Sequence, residues 1–201
     1  MDRSLTVLLP VRDAQASLAA AVQELLDILP ELTDRFELMV IDDGSQDATI
    51  EVAQELATRY PQVRVVRHGQ PKGRAAAVQT GLQHTSGEVV FLRDEGCRLA
   101  IDQLKRLWQA MEKHDLVLGR PQSLSGPVLN RWRNPAPSAT SGCQMAHRRI
   151  IESIRDVLAD QESLRESLRR LGRSWHEIEL PQKNVKKGRQ ACLAASSRPA
   201  E

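Results

Sequence analysis

The run Phe36-Glu-Leu-Met-Val-Ile-Asp-Asp-Gly-Ser45 constrains this chain more than any other stretch. Residues 36–41 are almost continuously apolar, and two acids, a glycine and a serine close them. A continuous apolar run ended by turn residues suits a strand buried on both faces, as in a parallel sheet. Such a strand needs helices on both sides, so strand and helix must alternate along the chain. They do. The β-rich run 6–9 ends at Pro10, and 16–29 carries Leu18, Val22, Leu25, Leu26 and Leu29 at helical spacing. The segment 48–60 puts Ile50, Ala53, Leu56 and Ala57 on one helical face and stops at Pro61. Then come a strand at 63–66, an Ala-rich helix at 73–84, a strand at 88–92, a helix at 101–113 and a short strand at 116–118. The pattern predicts an α/β fold, a mostly parallel sheet flanked by helices.

Beyond Gly119 the texture changes. Residues 119–141 hold Pro121, Pro127, Pro135 and Pro137 among Ser, Asn and Gly, and read as a long loop. Residues 148–171 have helical spacing, as one broken helix or two, and 175–180 is a short strand before Pro181. The tail from Gln182 is basic and then small and polar, and reads as disordered.

Ligands of such sheets sit beyond the carboxyl ends of the strands. Loops 10–15, 42–48, 68–74 and 93–100 are therefore where function is expected. Asp42 and Asp43 close a buried strand, where one acid can meet a ligand while the other serves the turn; plain turn chemistry explains the same residues. In Arg93-Asp94-Glu95-Gly96 a divalent metal could sit between acids and a diphosphate, or the run is a charged turn with an internal ion pair. Lys72-Gly73-Arg74 opens a helix, a setting that suits phosphate and that many helices share; it is not a Walker loop. None of the five histidines forms a metal pair at helical spacing, and core or surface placement is expected for each. Lys183, Lys186, Lys187 and Arg189 could attract anionic lipid or be a solvated tail.

Composition excludes other classes. With net charge +2 and 3% aromatic residues, a nucleic-acid partner is not expected. No apolar run reaches the ~20 residues of a membrane helix, and the N-terminus reads as a strand rather than a signal peptide. Cys97, Cys143 and Cys192 lack metal-ligand spacing, so free thiols in a reducing cytoplasm are expected. Pro10-Val-Arg-Asp13 stands where a dinucleotide-binding dehydrogenase would carry its glycines.

The pieces together resemble the family 2 glycosyltransferases of the GT-A fold, closest to the polyprenyl-phosphate (dolichyl-phosphate) mannosyltransferase-like group. Residues 36–49 are similar to that family's strand and Asp-Asp-Gly-Ser-x-Asp-x-Thr signature. In order along the chain, 8–11 resembles its opening strand, 73–81 its basic Ala-rich helix, 87–92 the strand before its metal motif, 140–154 its Ser-Gly-Phe segment and helix, and 172–181 its closing strand. The resemblance implies one GT-A domain. Residues 1–118 would form its nucleotide-sugar-binding half, 119–181 an acceptor-side loop, helices and closing strand, and 182–201 a basic tail.

By that resemblance Pro10, Val11 and Asp13 would line the nucleotide pocket, Asp43 would contact the base with Asp42 beside it, and Arg74 would sit near base and phosphates. Asp94 and Glu95 would occupy the catalytic, metal-binding Asp-x-Asp region with Mg²⁺ or Mn²⁺. The implied reaction is sugar transfer from a nucleoside-diphosphate sugar to an acceptor such as a polyprenyl phosphate, with inversion, by a cytoplasmic protein that is soluble or peripheral to a membrane. Arg131, Arg133, Arg148 and Arg149 would be candidates to meet an acceptor phosphate. The chain departs from the pattern at Pro10-Val-Arg-Asp-Ala14, where the family's aromatic and Glu are missing, at Cys143-Gln144, which replace Phe-Arg, and at Arg93, which replaces the first acid. Arg93 is therefore expected to offset diphosphate charge. The alternative reading is a catalytically impaired nucleotide-binding module with a scaffolding or regulatory role.

Overall fold

The computed structural model describes residues 3–93, 101–121, 143–154 and 170–180. Seven strands form one sheet: β1 (Leu5–Val11), β2 (Phe36–Asp42), β3 (Val63–Arg67), β4 (Val89–Arg93), β5 (Leu116–Pro121), β6 (Cys143–His147) and β7 (Trp175–Leu180). Among the described residues five α-helices accompany them: α1 (Leu18–Ile28), α2 (Thr49–Arg59), α3 (Arg74–Gln83), α4 (Ile101–Ala110) and α5 (Arg148–Ile154). The strand order is β3-β2-β1-β4-β6-β5-β7. All pairings are parallel except those of β6, which runs against β4 and β5.

The side chains explain this layering. Alternate residues of each strand feed opposite faces. Val7, Leu9, Leu38, Val40, Val89 and Phe91 join one core with α1, α2 and α4. Leu8, Met39, Ile41, Val90 and Leu92 join another with α3 and α5. Helix α3 lies so close to the sheet that a Cβ on Gly81 would stand 2.7 Å from a methyl of Leu8. Helix α2 stops at Arg59, because Tyr60 turns extended ahead of Pro61.

The first three strands build outward as β1, β2, β3, and the chain then crosses back to lay β4 on the other side of β1. That reversal makes a crevice at the carboxyl ends of β1 and β4. Val11 stands opposite Asp42 there, and β4 reaches the same edge at Arg93.

Strand β6 was not anticipated. Cys143-Gln-Met-Ala-His147 is too short and mixed to announce itself, yet four of its five residues are buried. Cys143 also departs from the free thiols expected, since it is disulfide-bonded; with two other cysteines in the chain, its partner lies outside the described residues. Most of the expected loop 119–141, the greater part of the 148–171 helices and the tail from Gln182 lie outside them too.

Candidate functional site

Three of the four expected loops meet at the carboxyl edge, joined by their own side chains. Asp42 is fully buried. Its Oδ1 accepts from the Ser45 amide at 2.9 Å and from the Ser45 hydroxyl, closing a tight turn after β2. Arg67, at the end of β3, approaches its other oxygen at 3.4 Å and donates to the Ser45 carbonyl. Asp42 thus takes the turn role that its sequence position also allowed. Strand alternation is the reason: Asp42 shares the face of Leu38 and Val40, turned to α1 and α2.

The same loop is fastened to the one after β1. Asp13, held at φ 50°, receives the Gln46 amide on Oδ1 at 2.8 Å, while its own amide donates to the Ser45 hydroxyl. The Ala14 amide donates to Thr49 Oγ1 at 2.8 Å and the Gln15 amide to Asp47 Oδ2 at 3.1 Å. Asp47 in turn accepts from the Thr49 amide and hydroxyl. That Thr49 hydroxyl, with the amides, holds the Asp47 carboxyl below its ordinary pKa. Every acid and hydroxyl of the Asp-Asp-Gly-Ser-x-Asp-x-Thr signature is therefore engaged in holding loops.

Asp43 reaches the other way, to the loop before α3. Its Oδ1 accepts from the Lys72 amide at 2.8 Å and contacts His68 Nδ1 at 2.7 Å; Oδ2 accepts from the Gly73 amide at 2.8 Å. Burial pushes its carboxyl up, but the Lys72 amide, His68 and the Gly73 amide together outweigh that, leaving it below the ordinary range. The chain returns from this clamp straight into Arg74, the half-buried first residue of α3. Gly44 makes the approach possible. It sits at φ 73°, and a Cβ there would stand 2.7 Å from the Pro71 nitrogen. Gly44→Ala is expected to cost about 2–4 kcal/mol through a left-handed non-glycine and a backbone clash. Thermal unfolding measures this, and an unchanged midpoint would show that the loop yields freely.

The remaining expected residues divide. Pro10, half-buried, shares the face of Leu8 and α3. The Val11 side chain is instead buried against α1, and only its carbonyl takes part, accepting from the Asp43 amide at 2.9 Å. Arg93 does not fit the expectation that it offsets diphosphate charge. Sharing the face of Phe91, it is 6% exposed; its guanidinium donates to the Ala21 carbonyl at 3.2 Å and to Glu24 of α1 at 2.7 Å. Arg148 and Arg149 also depart from their expected role. Antiparallel β6 carries them to the opposite edge, where Arg148 bonds the Gly87 and Leu82 carbonyls and Arg149 meets Asp115.

Asp94, Glu95, Arg131 and Arg133 lie outside the described residues. Among the described residues no group of three or more His, Cys, Asp or Glu gathers to hold a metal. The chemistry of Asp94 and Glu95 fits Mg²⁺ or Mn²⁺, because these hard cations take carboxylate and phosphate oxygens, and in sequence the two acids directly follow the last residue of β4, at the carboxyl edge. His68 is the residue for which sequence reasoning expected only core or surface placement and no role. Its position after a strand was the one available signal.

Comparison with known proteins agrees with this architecture. A model of glycosyl transferase family 2 matches residues 6–172. A dolichol-phosphate mannosyltransferase of Pyrococcus furiosus is 29% identical over 76% of this chain and 42% of its own length, so the chain spans less than half of that relative. Among solved structures, a mannosyltransferase from Pyrobaculum calidifontis in complex with GDP-Man and Mn²⁺ superposes with TM-score 0.65 at 21% identity, over 94% of this chain and 59% of that one. Glucosyl-3-phosphoglycerate synthase of Mycobacterium tuberculosis, with Mn²⁺, UDP and phosphoglyceric acid, gives 0.66 at 22% identity, over 89% and 69%. At these identities the two structures speak for the GT-A fold.

Proposed function

The chain belongs to glycosyl transferase family 2, in its polyprenyl-phosphate glycosyltransferase-like group, and from that premise we propose that it transfers a sugar, with inversion, from a nucleoside-diphosphate sugar to a polyprenyl phosphate. The observation that carries this reading is the three-loop clamp at the crevice, with the Asp43 carboxylate at its centre. The relatives act on dolichyl or undecaprenyl phosphates by their names, and neighbouring structures hold GDP-Man, UDP and Mn²⁺.

In this reading the ionised Asp43 accepts a hydrogen bond from the base, and Pro10 flanks the base on the α3 face. Arg74 faces the phosphates. Asp94 and Glu95 would hold Mg²⁺ or Mn²⁺, which neutralises the charge growing on the leaving diphosphate. An acceptor phosphate oxygen attacks the anomeric carbon as the bond to the diphosphate breaks, and the electron pair leaves with the nucleotide. Such an acceptor is already anionic, so no general base is needed. Arg131 and Arg133 remain candidates to orient it. We place the reaction at the cytoplasmic membrane surface, with residues 182–189 meeting anionic lipid; no helix among the described residues is long and apolar enough to cross a membrane.

The test is nucleotide release from GDP-mannose and UDP-glucose with Mn²⁺ and a short polyprenyl phosphate. Turnover is expected with one donor, falling roughly 10²–10³-fold in Asp94→Asn, the scale of removing one element of transition-state charge stabilisation. Undiminished turnover in that variant would overturn the metal assignment. Absence of both binding and turnover with either donor would overturn the donor class.

A further inference from the structure

We propose that His68 is a positioning residue for the nucleotide base, acting through Asp43; this deepens the reading above and rests on its base contact. His68 is 4% exposed, and its ring is held at both nitrogens. Nδ1 lies 2.7 Å from Asp43 Oδ1, and Nε2 lies 2.9 Å from Thr80 Oγ1 on α3. The backbone fixes the residue as well, since its amide donates to the Asp42 carbonyl at 2.9 Å.

The chemistry of the partners sets the direction of this relay. An ionised carboxylate only accepts, so Nδ1 must carry the proton and donate to Asp43. In the neutral ring Nε2 then accepts, and the Thr80 hydroxyl donates to it. Asp43 thus sets the tautomer, and the Thr80 hydroxyl, able to donate or accept, matches it at Nε2 and holds the ring in place.

The consequence falls on Asp43. Its Oδ1 is filled by His68 and the Lys72 amide, whereas Oδ2 has only the Gly73 amide among the described residues. Locking Oδ1 fixes the carboxylate plane and leaves one acceptor site, on Oδ2, with a set direction. An acceptor aimed in that way takes a base whose pairing edge presents an N–H, the imide of uracil or the N1–H of guanine. Without His68 the carboxylate can rotate, and the discrimination for that N–H weakens.

The experiment measures binding by calorimetry for UDP and GDP and for their N3-methyl and N1-methyl analogues, which lack the N–H. The wild-type protein is expected to prefer one parent nucleotide over its methylated analogue by about tenfold or more, the scale of a hydrogen bond to a charged group. His68→Leu should lower affinity for the parent by about tenfold and leave the analogue nearly unchanged, so the preference collapses. His68→Asn, whose amide can stand in for Nδ1–H, should restore most of it. Thr80→Val, which keeps the shape of this half-buried side chain, should lose about two- to fivefold of the preference and carries the test if His68→Leu does not fold. Equal weakening of parent and analogue, or an unaltered preference in the variants, would overturn the role of His68 while leaving the base site standing. Failure of the wild-type protein to bind either nucleotide would overturn both.

Discussion

Asp43→Ala is expected to lower stability by about 3 kcal/mol and to weaken nucleotide binding by about a hundredfold, because one carboxylate serves two ends. Its removal strips the acceptor from the Lys72 and Gly73 amides and from the His68 ring. Unmet buried donors cost about 1–3 kcal/mol each. The two amides belong to exposed residues that water can reach, so the total stays near the lower end of that sum. The loop before α3 then loses its tie to β2, and Arg74, the next residue, loses its placement. Acid should reproduce part of the effect. The Asp43 carboxyl titrates below its ordinary 3.8 in the folded chain, so the stability it contributes is fully present above that value and lost as pH falls through the folded one. Wild-type protein should therefore lose more stability than Asp43→Asn between pH 7 and about pH 3, with both followed by denaturant melts. Asp47 and Asp115 are likewise lowered, but both proteins share them and they cancel in the comparison. A gap between the two proteins that does not change with pH would rule out the carboxylate clamp.

The parallel frame was legible in the sequence because a strand buried on both faces has no polar alternation to disguise it: 36–41 and 88–92 anticipate β2 and β4 within a residue or so. Strand β6 was hidden for the opposite reason. It gains its place from pairing with β4 and β5, distant in sequence, and its own five residues have no pattern that demands a strand. The site follows the same division. Type and spacing marked Asp42, Asp43 and Arg93 as acids and a base at a strand end, but which way each points depends on strand parity. Parity sends Asp42 and Arg93 to the α1 side, while Asp43, one residue past β2, crosses to the loop before α3. The alternation was available from the sequence alone; the exact end of each strand, on which it depends, was not.

Glu24→Ala should be more damaging than Arg93→Met, and Arg93→Met should leave nucleotide affinity within about twofold of wild type. The Arg93 side chain is 7% exposed and that of Glu24 36%. Removing Glu24 leaves a guanidinium in the core with the Ala21 carbonyl as its described α1 partner. Taking the carboxylate from a buried guanidinium costs about 3–5 kcal/mol when both ends are dry; water at the Glu24 end and the other contacts of Arg93 reduce this to about 2 here. Arg93→Met keeps the aliphatic stem beside Phe91 and frees Glu24 to turn into solvent, so about 1 kcal/mol is expected. Thermal melts read the order of the two, and calorimetry with GDP and UDP reads the affinity. The pair of measurements separates two roles for the same cation. An arginine that offsets diphosphate charge would show the reverse: little change in melting for Arg93→Met and a tenfold or greater loss of affinity, about the size of one charge-assisted contact. The bond to Glu24 argues for the first pattern, because a guanidinium committed to α1 must break a short, partly buried ion pair before it can reach across β4 to the α3 face, where the proposed function puts the nucleotide.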